Sequence, residues 1–204
     1  MQIELQNISK RYGFEWIFKH VNATLTINQP CAIVGPNGSG KSTLLKVISG
    51  GLVPTAGKVI TTLNQKSIDE QQAAKYISFA APYIALIEDY TLSELYKFHA
   101  SFKEMHTQNV EEFLQLSQLE KHKDKYIKNY SSGMKQRLKL SFAILTVSNA
   151  LLLDEPTSNF DAKAIDWYHQ LIANYQKDRM LIIGSNQSYE YDFCKTQVNI
   201  MDYK

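Results

Sequence analysis

Several features of secreted, metal-binding or membrane-spanning proteins are missing from this sequence. The two cysteines, Cys31 and Cys194, stand far apart without the spacing of metal ligands, and this favours a reduced, intracellular compartment. The five histidines form no H-x-x-x-H pair of the kind that holds a metal ion. No apolar run approaches the roughly 20 residues that span a bilayer, and residues 1–10 lack the apolar core of a signal peptide. A role at the membrane would therefore require a partner protein.

A strong charge of either sign is also missing. The net charge is only +2, so we expect neither nucleic acid nor an anionic lipid surface as the main partner. The length of 204 residues is sufficient for one domain with a substantial core. Because no repeat, linker or low-complexity tract interrupts the chain, we predict a single domain over residues 1–204.

What the sequence does contain is a complete phosphate-binding motif, G-x-x-x-x-G-K-[ST]. Its residues, with the threonine that follows, are Gly35, Pro36, Asn37, Gly38, Ser39, Gly40, Lys41, Ser42 and Thr43. The glycines let the backbone approach phosphate oxygens, so that successive N–H groups form an anion nest. Lys41 would then face the β- and γ-phosphates, and the Ser42 hydroxyl would bind Mg²⁺. An apolar run at Cys31–Val34 precedes the motif and a helical pattern follows it, as expected of a nucleotide site.

Two adjacent acids end a second apolar strand pattern, in which Leu151–Asp154 is followed by Glu155. In a parallel sheet beside a phosphate loop, the carboxyl end of a strand lies where Mg²⁺ and the attacking water must be. The two acids could then have different roles, with Asp154 as a ligand of the metal and Glu155 as the general base for the water. The alternative is that both acids are structural caps of the next helix.

The rest of the pattern predicts strands around a helical block. Alternation predicts half-exposed strands at residues 3–6 and 21–28, with a turn at 10–14 that carries Tyr12. The Tyr12 ring could stack on an adenine or fold back onto the sheet, and the pattern alone does not decide. A short helix is predicted over 65–76, helices dominate from about 91 to 147, and residues 197–202 are predicted as an edge strand.

Small residues precede another apolar helical stripe at Tyr130–Met134. A small-residue N-cap at the start of a helix is an anion site in its own right, although ordinary capping explains the pattern equally well. A similar turn at Ser158–Asp161 leads into the helix predicted over 162–175.

Together these motifs resemble the ATP-binding cassette (ABC) ATPases over nearly the whole chain. The phosphate loop matches Walker A, Leu151–Asp154 matches Walker B, and Glu155 stands at the catalytic glutamate. Tyr130–Met134 stands in place of the L-S-G-G-Q signature and Ser158–Asp161 in place of the D-loop. The order of the motifs is specific to ABC proteins. It implies an α/β fold: a P-loop NTPase core with a mostly parallel central sheet, an antiparallel β subdomain in the N-terminal part, and an inserted α-helical lobe at about 84–147.

The resemblance also implies ligands and partners. ATP and Mg²⁺ would bind at the phosphate loop, and Tyr12 falls at the family's adenine-stacking aromatic, which favours stacking. A second ABC ATPase subunit would pair head to tail, so that its Ser131, Ser132 and Gly133 contact the γ-phosphate held by Lys41. Asp161 of the D-loop is included among the nucleotide-binding residues. Closure would drive transmembrane permease subunits, which are separate chains docked near residues 82–90. The chain is therefore expected in the cytoplasm, peripherally on the inner face of the cell membrane.

Three positions depart from the family pattern. The usual glutamine is missing from Ala81–Tyr83, the switch histidine aligns with Asn186, and the signature has lost its leucine, one glycine and its glutamine. Asn186 can donate a hydrogen bond to the γ-phosphate but cannot carry a proton. We therefore expect slowed hydrolysis, with Glu155 as the base and Asn186 holding the γ-phosphate. The alternatives to a transporter ATPase are a soluble ATP-gated switch and a cassette that binds ATP without hydrolysing it.

Overall fold

The protein's structure, a computed structural model, describes residues 1–27 and 29–204, without the side chains of Glu70 and Gln71. The strands are β1 (Gln2–Tyr12), β2 (Glu15–Thr26), β3 (Cys31–Val34), β4 (Ala56–Leu63), β5 (Lys66–Ile68), β6 (Ile77–Ala80), β7 (Ala150–Asp154), β8 (Met180–Ser185) and β9 (Thr196–Asn199). The helices are α1 (Lys41–Ile48), α2 (Glu70–Ala73), α3 (Leu92–Ala100), α4 (Val110–Ser117), α5 (Ser132–Leu145) and α6 (Ala162–Tyr175). Short 3₁₀ turns include Ser188–Glu190 and Ile200–Tyr203.

The chain forms two compact units, each built from segments distant in sequence. The first, here called the strand unit, contains Met1–Phe79, Ser148–Glu155 and Asp178–Lys204. The second, the helical unit, contains Ala80–Val147 and Pro156–Lys177 and therefore holds α3 to α6. None of the helices in the described residues is long and apolar enough to cross a membrane.

Two sheets of opposite character occur in the chain. One has the order β2-β1-β4-β5 with antiparallel neighbours, and the other has the order β6-β7-β8-β3-β9, in which β7, β8, β3 and β9 pair in parallel. The inner strands β7 and β8 are buried at every residue, as expected of a parallel sheet covered on both faces. The α/β fold class with a parallel core sheet and a separate antiparallel sheet is confirmed.

Helix α1 packs on the parallel sheet in the strand unit. Its Leu44 and Leu45 are fully buried, and they belong to one hydrophobic cluster with residues of β3, β7 and β8. Gly184 of β8 makes this approach possible, because a Cβ there would lie 2.6 Å from Leu45 Cδ1. The helix that begins at Lys41 is thus fixed against the strands that end at Asp154 and Ser185.

The helical unit has its own capped and packed helices. A capping box begins α3, because Thr91 Oγ1 accepts from the Glu94 N–H and the Glu94 carboxylate accepts from the Thr91 N–H. Trp167 of α6 donates its indole N–H to Leu116 O at 2.7 Å and so joins α6 to α4. Phe113 of α4 packs on Phe142 of α5 with ring centroids 4.7 Å apart.

Three predicted elements differ from the structure. The helix predicted over 65–76 is wrong in its first part, where Asn64 and Gln65 both take left-handed backbone angles and close a hairpin from β4 to β5. The turn predicted at 10–14 is confined to residues 13–14, because Lys10, Arg11 and Tyr12 pair with β2 inside β1. The strand predicted at 197–202 ends at Asn199, whose side chain accepts from the Met201 N–H and starts a 3₁₀ turn. Of the strand predicted at 21–28, Asn28 lies outside the described residues.

Candidate nucleotide site

The phosphate loop connects β3 to α1 and closes around Lys41. Lys41 is the first residue of α1 and only 4% exposed, and its ammonium donates to Gly35 O at 2.9 Å and to Pro36 O at 3.1 Å. The backbone at Gly40 has φ 108°, which a residue with a Cβ rarely adopts. A Cβ at Gly40 would also lie 2.5 Å from Ile17 Cγ2 of β2. The loop therefore needs glycine here both for its conformation and for its contact with β2.

A cleft of about 170 Å³ opens at this loop. Its lining consists of Ile17, Gly38, Ser39, Gly40, Lys41, Ser42, Thr43 and Glu155. Six of the nine predicted loop residues and the predicted general base thus meet in one cleft. Gly35 and the exposed Pro36 and Asn37 belong to the loop but do not line the cleft.

The two acids at the end of β7 occupy different environments. Asp154 is 1% exposed and ends β7, and its Oδ1 lies 3.3 Å from where a Gly184 Cβ would be. Glu155 is only half-buried, and its N–H donates to Gly184 O at 2.8 Å. The Glu155 backbone is left-handed, with φ 42°, and such a conformation costs about 1–3 kcal/mol in a residue with a side chain. Strain of this kind is concentrated at functional sites.

The oxygen atoms of Ser42 and Asp154 are the ligand type that Mg²⁺ prefers. The described residues contain no cluster of three or more histidine, cysteine, aspartate or glutamate side chains that could hold a metal alone. A small set of protein oxygens is nevertheless the usual Mg²⁺ arrangement, because nucleotide phosphates and water complete the octahedron. The donors present therefore fit an ion that arrives with a nucleotide.

Asn186 is exposed at the end of β8, outside the cleft lining, and a hydrogen-bonded turn follows it. Ser185 Oγ accepts from the Gln187 N–H at 2.9 Å and donates to the carboxylate of Glu190. Glu190 is 2% exposed, so this acid is buried next to the switch position. Glu190 was not expected from the sequence, because a single acid four residues beyond Asn186 belongs to no recognisable motif.

The aromatic position Tyr12 lies at the end of β1 and is 52% exposed. The Lys10 ammonium lies 5.4 Å from the centroid of its ring. Tyr12 does not line the phosphate cleft, whereas Ile17 of β2 does. Ile17 was not expected in the cleft from the sequence either, since an isoleucine in a strand is usually a core residue.

A second cleft, of about 370 Å³, lies entirely within the helical unit. Its lining consists of Ser131, Ser132, Gly133, Met134, Arg137, Asn159, Phe160, Asp161 and Ala164. Ser131 caps α5 by accepting from the Met134 N–H at 3.2 Å, and Asp161 caps α6 by accepting from the Ala164 N–H at 2.8 Å. The predicted signature and D-loop residues therefore lie in one cleft at the N-termini of two helices.

Arg137 gives the second cleft a fixed positive charge. Its guanidinium lies 4.6 Å from the centroid of the Trp167 ring and donates to Gln118 Oε1 at 2.6 Å. Burial lowers the pKa of Arg137, and the charge of Asp161 partly opposes that shift. A helix N-terminus beside a fixed cation can attract an anion.

The combination of a phosphate loop, a strand ending in Asp154 and Glu155, and a capped signature helix agrees with the comparison to known families. A profile described as "ABC transporter" matches residues 18–158. The chain belongs to the ABC transporter family. It carries the ATPase cassette of that family; the residues predicted as Walker motifs lie in the strand unit, and those predicted as signature and D-loop lie in the helical unit.

Relatives and solved structures agree with this membership. The chain is 35% identical over 167 residues to a "Probable sulfate/thiosulfate import ATP-binding protein" of Chlorella vulgaris, covering 80% of this chain and 70% of the relative. It is 32% identical over 167 residues to an Fe(3+) ions import ATP-binding protein of Escherichia coli, covering 78% and 47%. A dimeric ATP-binding cassette bound to ADP and Pi in a post-hydrolysis state superposes with a TM-score of 0.81 at 23% identity, covering 97% and 94%. The chain spans about half the length of several curated relatives that it matches.

Proposed function

We propose that this cassette binds ATP with Mg²⁺, hydrolyses it and thereby powers a membrane transporter. The observation that carries the proposal is the cleft in which Lys41, Ser42 and Glu155 meet. An anion nest, a cation and a carboxylate that can accept a proton are together the groups that phosphoryl transfer to water requires. The names of the relatives support the transport role, since they are import ATP-binding proteins.

Lys41 and the loop backbone would bind the phosphates. The Lys41 ammonium, which now donates to Gly35 O and Pro36 O, would transfer hydrogen bonds to the β- and γ-phosphate oxygens. Ser42 and Asp154 would hold Mg²⁺, which supplies neutralisation of the phosphate charge. Tyr12 would stack on the adenine, for which its half-exposed ring is accessible.

Glu155 would act as the general base. Its carboxylate would accept a proton from the water that attacks the γ-phosphate, while Asn186 donates a hydrogen bond to the same phosphate. Because Asn186 cannot take up a proton as a histidine can, we propose that turnover is slow.

A second cassette would complete the site. The cleft with Ser131, Ser132, Gly133 and Asp161 contains helix N-termini and a cation but no phosphate loop, and it would contact the γ-phosphate bound by the other subunit. The dimeric state of the cassette with ADP and Pi supports this pairing. Closure would be transmitted to separate transmembrane permease subunits through residues 82–90, with the cassette peripheral on the inner face of the membrane. The domain 1–204 would act as one cassette.

The test is Mg²⁺-ATP turnover by the purified chain as a function of protein concentration, together with Glu155→Gln. We expect turnover to rise faster than linearly with protein concentration and to fall on the order of a hundredfold or more in the variant. The matched control is Glu15→Gln, which neutralises an exposed glutamate of β2 and should leave turnover unchanged. ATP binding with turnover no higher than that of Glu155→Gln would contradict the ATPase and indicate an ATP-gated switch or the silent half of a mixed pair.

A further inference from the structure

The carbonyl groups of the phosphate loop have cationic partners from two different parts of the chain. In an anion nest the N–H groups face the ligand, so the carbonyl groups face elsewhere and need other donors. Lys41 donates to Gly35 O and Pro36 O from within the motif. Lys204, which follows the 3₁₀ turn Ile200–Tyr203, donates to Ser39 O at 2.8 Å.

Lys204 also contacts a second residue of the cleft lining, in β2. Its ammonium donates to Ile17 O at 2.9 Å, and both Ile17 and Ser39 line the phosphate cleft while Lys204 does not. One ammonium group therefore connects β2 to the phosphate loop. The same segment supports the loop through Ile200, which is fully buried and whose Cγ2 lies 2.7 Å from where a Gly35 Cβ would be.

The peptide that Lys204 holds is the one that presents the Gly40 N–H. Ser39 C=O and Gly40 N–H belong to a single planar trans peptide, so they point in opposite directions. Fixing Ser39 O on Lys204 fixes the direction of the Gly40 N–H. Glycine at position 40 cannot fix this direction itself, because its backbone is the most permissive of all residues.

We propose that Lys204 is a positioning residue of the phosphate loop, which orients the Ser39–Gly40 peptide and holds Ile17 at its present distance from the loop. The proposal rests on the proposed function, because it assigns to Lys204 an effect on nucleotide affinity. Lys204 would act on nucleotide binding rather than on hydrolysis, because it would lower the free energy that is needed to order the loop around phosphate. Its loss should therefore change the Kd for nucleotide more than the rate at which bound ATP is hydrolysed.

The experiment compares Lys204→Met, Lys204→Arg and Lys58→Met with the unaltered chain. We measure the Kd for ATP and ADP by titration calorimetry, KM and kcat for Mg²⁺-ATP, and the thermal midpoint. Lys204→Met should raise both Kd values and KM by roughly three- to tenfold, since two charge-assisted hydrogen bonds are lost at a partly exposed site. The value of kcat at saturating ATP should stay within about twofold. Lys58→Met removes the same charge from an exposed residue of β4 in the same unit and should change none of these values.

Lys204→Arg should restore the unaltered Kd, because a guanidinium offers several N–H donors to the two carbonyl groups. Equal Kd values for Lys204→Met and the unaltered chain would overturn the proposal, as would a Lys204→Arg variant as weak as Lys204→Met. If Lys204→Met does not fold, Lys204→Gln keeps an NH2 group but loses the charge and should raise the Kd by a smaller factor. A Kd of Lys204→Gln equal to that of the unaltered chain would overturn the proposal. Failure of the unaltered chain to bind ATP would overturn the proposed function itself, whereas ATP binding that is indifferent to Lys204 would overturn only this inference.

Discussion

The two clefts of this cassette use similar local chemistry, but only one of them contains reactive groups. The phosphate cleft of the strand unit combines backbone N–H groups with Lys41 and Glu155, and its glycine positions follow the motif strictly. The signature cleft of the helical unit has two capped helix N-termini and Arg137, but the side-chain oxygens of Ser131 and Asp161 already accept hydrogen bonds from their own helices. Under the proposed function, the first cleft would bind and react, while the second would add contacts to a phosphate presented by another copy.

The largest expected effect concerns ATP binding in the phosphate cleft. Lys41→Ala removes the ammonium at the centre of the phosphate loop and should weaken ATP binding on the order of a hundredfold, because a buried charge-assisted contact to phosphate is lost. Equilibrium titration with ATP measures the change, and Lys58→Met is the charge-matched control. If Lys41→Ala bound ATP as tightly as the unaltered chain, the phosphate cleft would not be the nucleotide site.

A smaller effect is expected at the switch position. Under the proposed function, Asn186→Ala would remove a hydrogen-bond donor to the γ-phosphate and should lower kcat about tenfold with little change in Kd for ATP. The measurement is steady-state Mg²⁺-ATP turnover, with Gln187→Ala at the neighbouring exposed residue as the control. Unchanged turnover in Asn186→Ala would mean that the asparagine takes no part in hydrolysis.

In the helical unit, Ser131→Ala should act first on stability. The variant removes the Oγ that accepts from the Met134 N–H, and the loss of such an N-cap costs about 1 kcal/mol. Amide hydrogen exchange over the first turn of α5 would locate the change, and Ser132→Ala is the matched control because Ser132 does not cap the helix. If turnover fell under conditions in which Ser131→Ala remains fully folded, Ser131 would have a further role in contact with nucleotide. Unchanged exchange in Ser131→Ala would remove the capping role.

The smallest expected effect is a pH dependence confined to the helical unit. Burial, with a smaller contribution from Lys103, lowers the pKa of His99 from its ordinary value of 6.5, and its Nε2 lies 2.8 Å from Thr146 Oγ1. Because the unfolded chain then binds the proton more readily than the folded one, stability should fall as the pH decreases below about 6.5. Urea unfolding between pH 5 and 7 measures this slope. His99→Gln should flatten it, and an unchanged slope in this variant would contradict the prediction.

The sequence could predict the residues that lie within motifs, but not the residues that reach the clefts from other segments. The phosphate loop and the pair Asp154–Glu155 are each contiguous in sequence and carry their own chemistry, so the meeting of Glu155 with residues 38–43 in one cleft was expected. Ile17, Glu190 and Lys204 were not, because each reaches its partner from a segment without a motif. The hairpin at Asn64–Gln65 was missed for a local reason, since it lacks the Asn-Gly pair that usually indicates two left-handed residues.

The departures at Asn186 and at Ala81–Tyr83 were visible in sequence, but their effect depends on three-dimensional surroundings. Asn186 is followed by a turn that Ser185 and the buried Glu190 hold in place, a support that no pattern indicated. Ala81 is fully buried, whereas Tyr83 is 48% exposed, so the segment that usually carries a glutamine begins in the core and emerges within three residues. Alternation and motif spacing contain no information about such a transition.

At Glu155, the residue type that would be most stable in a left-handed backbone differs from the residue type that hydrolysis would require. Asparagine and glycine tolerate this conformation better than glutamate does, so Glu155→Asn should raise the thermal midpoint while it removes the base. Glu155→Gln retains the strain and isolates the loss of charge. Selection for stability alone would drive this position away from glutamate. Under the proposed function, the strained backbone of Glu155 is the loss of stability that accompanies a carboxylate placed in the phosphate cleft.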